Sequence, residues 1–322
     1  MKTTDSIHEI GGILPRSDLQ ASAREDRVFW GFSPDRVDAE LRATPWWLWW
    51  NILSLDAPTV AVVWAALFAH AIGSRLSAGG ATALALSVWI IYTSDRLLDG
   101  WTARNRASLQ ERHLFSDRHR FVLAALVMAA SAFVLWLMAD GSLAAEARAG
   151  VKLGVILLFY MAGIHAGRGW IAWLLPKEIS VGFLFALGAT LPLWSRCIRF
   201  PWHEFLPWAF FGLLCSLNCL SIECWENHRE GDGWKQPPHP FVRWAAPRIN
   251  RIAAVLAVGA FAVCLVRDTN GPSQSVFLAI CAAALLVLLL NCARSKLSSA
   301  ALRVLADAAL LVPALVALLI RG

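Results

Sequence analysis

The residues best suited to chemistry in this chain are carboxylates at regular spacing beside long apolar runs. Asp95 and Asp99 stand four apart in Ile91-Tyr92-Thr93-Ser94-Asp95-Arg96-Leu97-Leu98-Asp99-Gly100. On a helix that spacing puts both on one face, about 6 Å apart. Two like charges so close are unfavourable unless a cation lies beside them. Mg²⁺ takes one or two carboxylates and completes its shell with water and phosphate oxygens. Arg96, Arg104, Arg106 and Arg112 follow, and the planar guanidinium fork suits phosphate. An acid pair beside a basic cluster, at the mouth of an apolar bundle, is what an amphiphilic diphosphate needs. The plainer reading of the same residues is a solvated loop whose Asp and Arg pair with one another.

A second acidic stretch reads Asn218-Cys219-Leu220-Ser221-Ile222-Glu223-Cys224-Trp225-Glu226-Asn227-His228-Arg229-Glu230. Glu223, Glu226 and Glu230 are spaced by three and four, which makes one acidic helical stripe. Asn218 lies deeper in the apolar run, where an amide is costly without a partner. Asp307, inside the last run, stands four residues after Arg303, and an intrahelical ion pair is the expectation for it. Asp56, two residues before Pro58, reads as a helix cap.

The elements that must position these groups follow from composition. The chain has 322 residues, 57% hydrophobic and only 16% charged, with a mean hydropathy of +0.53. Soluble domains carry about 25% charge, so disordered, coiled-coil and disulfide-stapled classes are excluded. Nine apolar runs, at about 58–72, 79–94, 121–139, 150–166, 178–194, 205–223, 252–266, 275–293 and 303–320, approach the length that spans a bilayer as helix. Seventeen Trp against two Tyr points to membrane-boundary anchoring. The seven Cys form no CxxC pair and read as small core hydrophobes rather than a zinc site or disulfide framework.

Residues 1–45 are polar, lack the apolar region of a signal peptide, and read as a cytoplasmic tail preceding a transmembrane domain at 46–322. With nine spans and the N-terminus inside, 22 Lys and Arg fall on the inner side and 7 on the outer, as the positive-inside rule requires. Both acidic stretches then open long loops on the cytoplasmic face of a bacterial-type inner membrane. The net charge of +6 reports topology and attraction to lipid headgroups, and no nucleic-acid partner is expected.

With acidic stretches after the second and sixth of nine spans, the chain resembles the UbiA-type intramembrane prenyltransferases. Asp95-Arg96-Leu97-Leu98-Asp99 matches the DxxxD part of that family's first motif. Pro176-Lys177-Glu178-Ile179, running into Gly182, Gly188 and Pro192, is similar to its fifth-span region. The resemblance covers about residues 50–320 and implies an all-α bundle that moves a prenyl group from a prenyl diphosphate to a lipophilic, often aromatic, acceptor. It implies Mg²⁺ at Asp95 and Asp99, and at Glu226 and Glu230 in place of a second DxxxD. It further implies a substrate site drawn from Arg96, Arg104, Lys177, Asn218, Glu223, Glu230 and Lys235. The chain departs from the family at Ile91, where Asn is usual, and in lacking the second DxxxD, so the resemblance is to a divergent member. A membrane terpene cyclase and a non-catalytic transporter or lipid-binding protein on the same fold are the alternatives.

Overall fold

The computed structural model describes residues 44–102, 111–139, 141, 143–165, 176–195, 202–229, 233–234, 238–266 and 273–321. Each of the nine apolar runs lies, to within a residue, inside a helix, and most of the helices extend beyond the run. In chain order the helices are α1 (Trp49–Ile52), α2 (Asp56–Ala71), α3 (Ala78–Thr102), α4 (Glu111–Arg118), α5 (Arg120–Ala139), α6 (Ala144–His165) and α7 (Lys177–Trp194), followed by α8 (Trp202–Asn227), α9 (Pro240–Ala245), α10 (Ile249–Val266), α11 (Gln274–Ala293) and α12 (Ser299–Arg321). A two-residue antiparallel ladder, β1 (His228–Arg229) with β2 (Gly233–Trp234), follows α8.

Among the described residues five helical stretches are long and apolar enough to cross a membrane: Arg120–Ala139, Phe205–Asn227, Pro240–Val266, Gln274–Lys296 and Ser299–Ile320. Trp46–Ile52 with Asp56–Ala71, bent by 77°, makes a sixth if counted as one broken span. This is an integral, helical membrane protein. The helices α3, α6 and α7 fall outside that set, and Asp95, Arg96, Lys177 and Glu178 of α3 and α7 belong to the site described below.

The core is aromatic where four helices meet. Trp64 of α2 is fully buried and stacks on Phe211 of α8 with centroids 4.3 Å apart. Phe68 and Phe185 tilt against the same Phe211 ring. The Trp64 indole N–H donates to the Leu310 carbonyl of α12 at 3.1 Å, so the large ring is buried without an orphaned donor. By contrast α5 turns Phe121, Met128, Leu135 and Trp136 outward, as a lipid-facing helix should.

The pair α7 and α8 packs through small residues. A Cβ added at Gly182 would overlap the Ser216 backbone, and one at Gly212 would come within 2.6 Å of the Phe183 ring. Close backbone approach through glycine is the membrane substitute for hydrophobic association between helices. It brings the start of α7 against the end of α8, where Lys177 and Glu223 reside.

Between α1 and α2 the chain turns through Leu53, Ser54 and Leu55, with Ser54 in the left-handed region at φ 59°. The hydrogen bonds of the turn run from Leu53 N to Trp49 O, Ser54 N to Asn51 O and Leu55 N to Trp50 O. Outside it, Trp46 and Trp50 are 84% and 52% exposed, as expected of a boundary segment. The edge of Trp49 meets Phe115 of α4 at 5.7 Å.

Candidate functional site

The polar residues of the bundle gather at one end, where α2, α7 and α12 begin and α3 and α8 finish. They form two adjoining groups, an outer mouth and an inner knot.

At the mouth, the Lys177 ammonium lies 3.1 Å from the Glu223 carboxylate. Lys177 starts α7 after Pro176, whose ring sets the entry to the helix, and its side chain remains 59% exposed. Glu178, next in sequence, is instead 3% exposed; its Oε1 is 4.0 Å from Lys177 Nζ and its Oε2 has no hydrogen-bond partner. Glu178 lies within electrostatic reach of Glu223 and His239. Tyr160 of α6 donates from its hydroxyl to the Lys177 carbonyl at 3.4 Å and lies within electrostatic reach of Glu178 and, more weakly, Asp95. Lys177, Glu178, Glu223 and Tyr160 therefore meet where α7 begins, with Asp95 of α3 and His239 ahead of α9 in their wider electrostatic surroundings. His239 holds its own position by accepting the Phe241 N–H at 3.1 Å.

The knot lies one layer inward. Arg303 of α12 is 3% exposed and gives both Nε and Nη2 to Glu226 Oε1 at 2.5 Å. Its Nη1 reaches Asn51 Oδ1 at 3.4 Å, while the Asn51 amide N–H₂ donates to Asp56. Arg96, 6% exposed, donates to the carbonyls of Asn51 and Ile52 at 2.7 and 3.0 Å, which satisfies the orphan carbonyls at the end of α1. Asn218 donates to Asp307 Oδ1 at 3.4 Å, and the Asp56 and Asp307 carboxyls adjoin one another.

These positions revise several expectations. Asp307 does not pair with Arg303 along its own helix. The guanidinium finds a buried carboxylate on α8 instead, and Asp307 turns to Asn218 and Asp56. Asp56 sits in the first turn of α2 with Leu55 at the cap position; its Oδ1 takes the Ala57 N–H at 3.0 Å. Arg96 is engaged with α1, one residue and about 100° around the helix from Asp95, and Glu226 is engaged with Arg303. Of the residues expected in a substrate or metal site, Lys177 and Glu223 pair at the mouth with Asp95 in their wider surroundings, whereas Arg96, Asn218 and Glu226 belong to the knot. The backbone of Asp99 belongs to the last turns of α3, but its side chain, with Arg104, Glu230 and Lys235, lies outside the described residues.

Sequence reasoning passed over Tyr160, His239 and Asn51, and quoted Glu178 in the fifth-span stretch without naming it as a site residue. Glu178 carried a usable signal, since an ionisable residue inside an apolar run is a functional candidate by default. Tyr160 and Asn51 carried none, because only the tertiary fold brings them to the acids.

Among the described residues no three His, Cys, Asp or Glu side chains are grouped closely enough to hold a metal by themselves. A cavity of about 250 Å³ lies at the opposite end of the bundle, lined by Ser74, Arg75, Glu146 and Pro192 among others, and takes no part in either polar group. No family model matches the chain, and neither does any curated protein or solved structure.

Proposed function

We propose that this chain is a Mg²⁺-dependent intramembrane prenyltransferase with a UbiA-like bundle of nine spans, moving a prenyl group from a prenyl diphosphate to a lipophilic acceptor. The observation that supports this reading is the Lys177–Glu223 ion pair beside the buried Glu178 at one mouth of the bundle, with Asp95 in their wider surroundings. In this reading the mouth faces the cytoplasm, the prenyl chain lies among the helices, and the diphosphate stays at the polar boundary.

The residues suit a magnesium ion that arrives with its phosphates. Mg²⁺ needs one or two protein carboxylates and draws the rest of its octahedron from water and phosphate, so a complete protein cage is not required. Asp95 and Asp99 would hold it, with the buried Glu178 Oε2, which lacks a partner, as a further oxygen donor. Bound there, the ion would neutralise charge on the departing diphosphate.

The chain's own residues do the remainder. Lys177, exposed at the mouth, meets phosphate oxygens and exchanges Glu223 for them as partner, leaving the Glu223 carboxylate to accept a proton or hydrogen bond. The apolar walls exclude water, so that the allylic carbon meets the acceptor rather than hydroxide. Arg96 and Glu226 serve the scaffold in this scheme.

The test is binding of a non-hydrolysable prenyl thiodiphosphate to the purified chain, with and without Mg²⁺. Mg²⁺-dependent binding, weakened at least tenfold by Asp95→Ala and by Lys177→Ala, supports the site. Absence of binding across several chain lengths, from folded protein, refutes the transferase and the cyclase together. Turnover of the natural diphosphate with no added acceptor would favour the cyclase.

A further inference from the structure

We infer that Asp56, Asp307 and Asn218 form a second site, distinct from the mouth, which binds one small monovalent cation; sodium is the probe. The inference does not rest on the transferase reading.

The first observation is an imbalance of charge in a buried place. Among the described residues the knot contains three acids, Asp56, Glu226 and Asp307, and two guanidiniums, Arg96 and Arg303. Among these groups the acids outnumber the cations by one, in a bundle where an unbalanced charge is expensive. The surplus sits on the Asp56–Asp307 pair. Arg303 bonds Glu226 and Asn51, and Arg96 bonds two carbonyls. The two carboxyls receive only neutral donors, namely Asn51 Nδ2 and Ala57 N on Asp56 and Asn218 Nδ2 on Asp307.

The second observation is Asn218 itself. The residue is 6% exposed, and the oxygen of the same amide that touches Asp307 has no hydrogen-bond partner. An orphaned buried acceptor requires an explanation. A proton shared between the carboxyls would balance the charge yet leave Asn218 Oδ1 orphaned. An oxygen-seeking cation satisfies both at once, taking carboxylate oxygens from Asp56 and Asp307 and the amide oxygen from Asn218.

The third observation is placement. Asp56 begins α2 directly after the 77° break from α1, and cation sites in membrane proteins recur beside such breaks. The groups facing the pair are Tyr92 and Arg96 from α3, Asn218 and Cys219 from α8, Arg303 from α12 and Asn51 from α1. None of the described neighbours adds a positive charge beyond the two guanidiniums already counted.

The experiment is thermal unfolding of the full chain in detergent at pH 8, in NaCl or in N-methylglucamine chloride at equal ionic strength. A thiol-reactive dye reports unfolding through the buried cysteines Cys215, Cys224 and Cys264. The expected result is a saturable rise in midpoint with sodium, roughly 5 °C at a hundredfold excess over Kd. Asp307→Asn should abolish the sodium dependence. Asn218→Leu should weaken sodium at least tenfold, and line broadening of the sodium-23 resonance provides a reading where a variant melts poorly. Equal midpoints in the two salts overturn the inference, as does a sodium effect that survives Asp307→Asn. So does a midpoint that follows pH alone, which would mark a shared proton. No prenyl substrate enters the assay, so its failure leaves the transferase reading untouched.

Discussion

Replacing Arg303 with methionine tests the knot at its most buried pair. The wild-type guanidinium presents two N–H groups to one oxygen of Glu226 at 2.5 Å, with side chains 4% and 11% exposed. Removing the cation leaves Glu226 as a charge withdrawn from water and without its partner, and also removes the contact to Asn51 Oδ1. Breaking one side of a buried ion pair costs about 3–5 kcal/mol. Glu226→Gln keeps an acceptor in place and should cost less, about 1–3 kcal/mol, the range for a hydrogen bond that loses its charge assistance. The double variant Arg303→Met/Glu226→Met should recover much of the loss, because two apolar side chains replace a desolvated pair. Reversible unfolding in mixed micelles, read as a double-mutant cycle, measures all three. An Arg303→Met cost under about 1 kcal/mol, or a double variant as unstable as the sum of the singles, would refute the reasoning. The same Glu226→Gln protein separates two roles for that carboxylate. As a structural partner its loss lowers stability and leaves diphosphate affinity within about threefold; as a metal ligand it would do the opposite.

Three further outcomes follow from the geometry. Gly182→Val should drive a side chain into the Ser216 backbone, lowering stability by roughly 1–3 kcal/mol; a crosslink between cysteines introduced at 177 and 223 should form more slowly as the helices part. Asn291→Leu should strand the Trp225 indole N–H, now bonded at 2.8 Å, and the Asn250 amide oxygen, which accepts from Asn291 at 2.8 Å. The expected cost is about 1–2 kcal/mol in the same unfolding assay. Arg96→Met should leave the Asn51 and Ile52 carbonyls uncapped, seen as faster hydrogen exchange at residues 49–56 with little change elsewhere.

The helices were legible because lipid leaves few alternatives: a run such as 275–293 has no other way to satisfy its backbone. The span count is a finer matter. Helices α3, α6 and α7 dilute their apolar character with Asp95, Arg96, Glu146, Arg148, Lys177 and Glu178, so length and hydropathy mark them weakly. Lys177 entered only through the family resemblance, whereas local spacing singled out Asp95 and Glu223. It misjudged Arg303 and Asp307, since an i, i+4 interval shows that two residues can meet but not that a better partner on another helix is absent. Arg96 and Asp95 are neighbours in sequence and face different surroundings, which helical geometry anticipates once the packing faces are known. The Asn51 hub, joining the α1–α2 turn to α12 and Asp56, has no sequence signature at all.

The uneven distribution of polar contacts has a mechanical consequence. At one end α1, α2, α3, α8 and α12 are riveted by directional bonds through Asn51, Arg96, Asn218, Glu226 and Arg303. Toward the other end, where α2 and α7 finish, the helices meet chiefly through apolar contacts around Trp64 and Phe211 and border an open space. Contacts without directionality slide at little cost, whereas charge-assisted bonds resist sliding. The bundle is thus a sheaf bound at one end, and its fixed end keeps the polar groups in register.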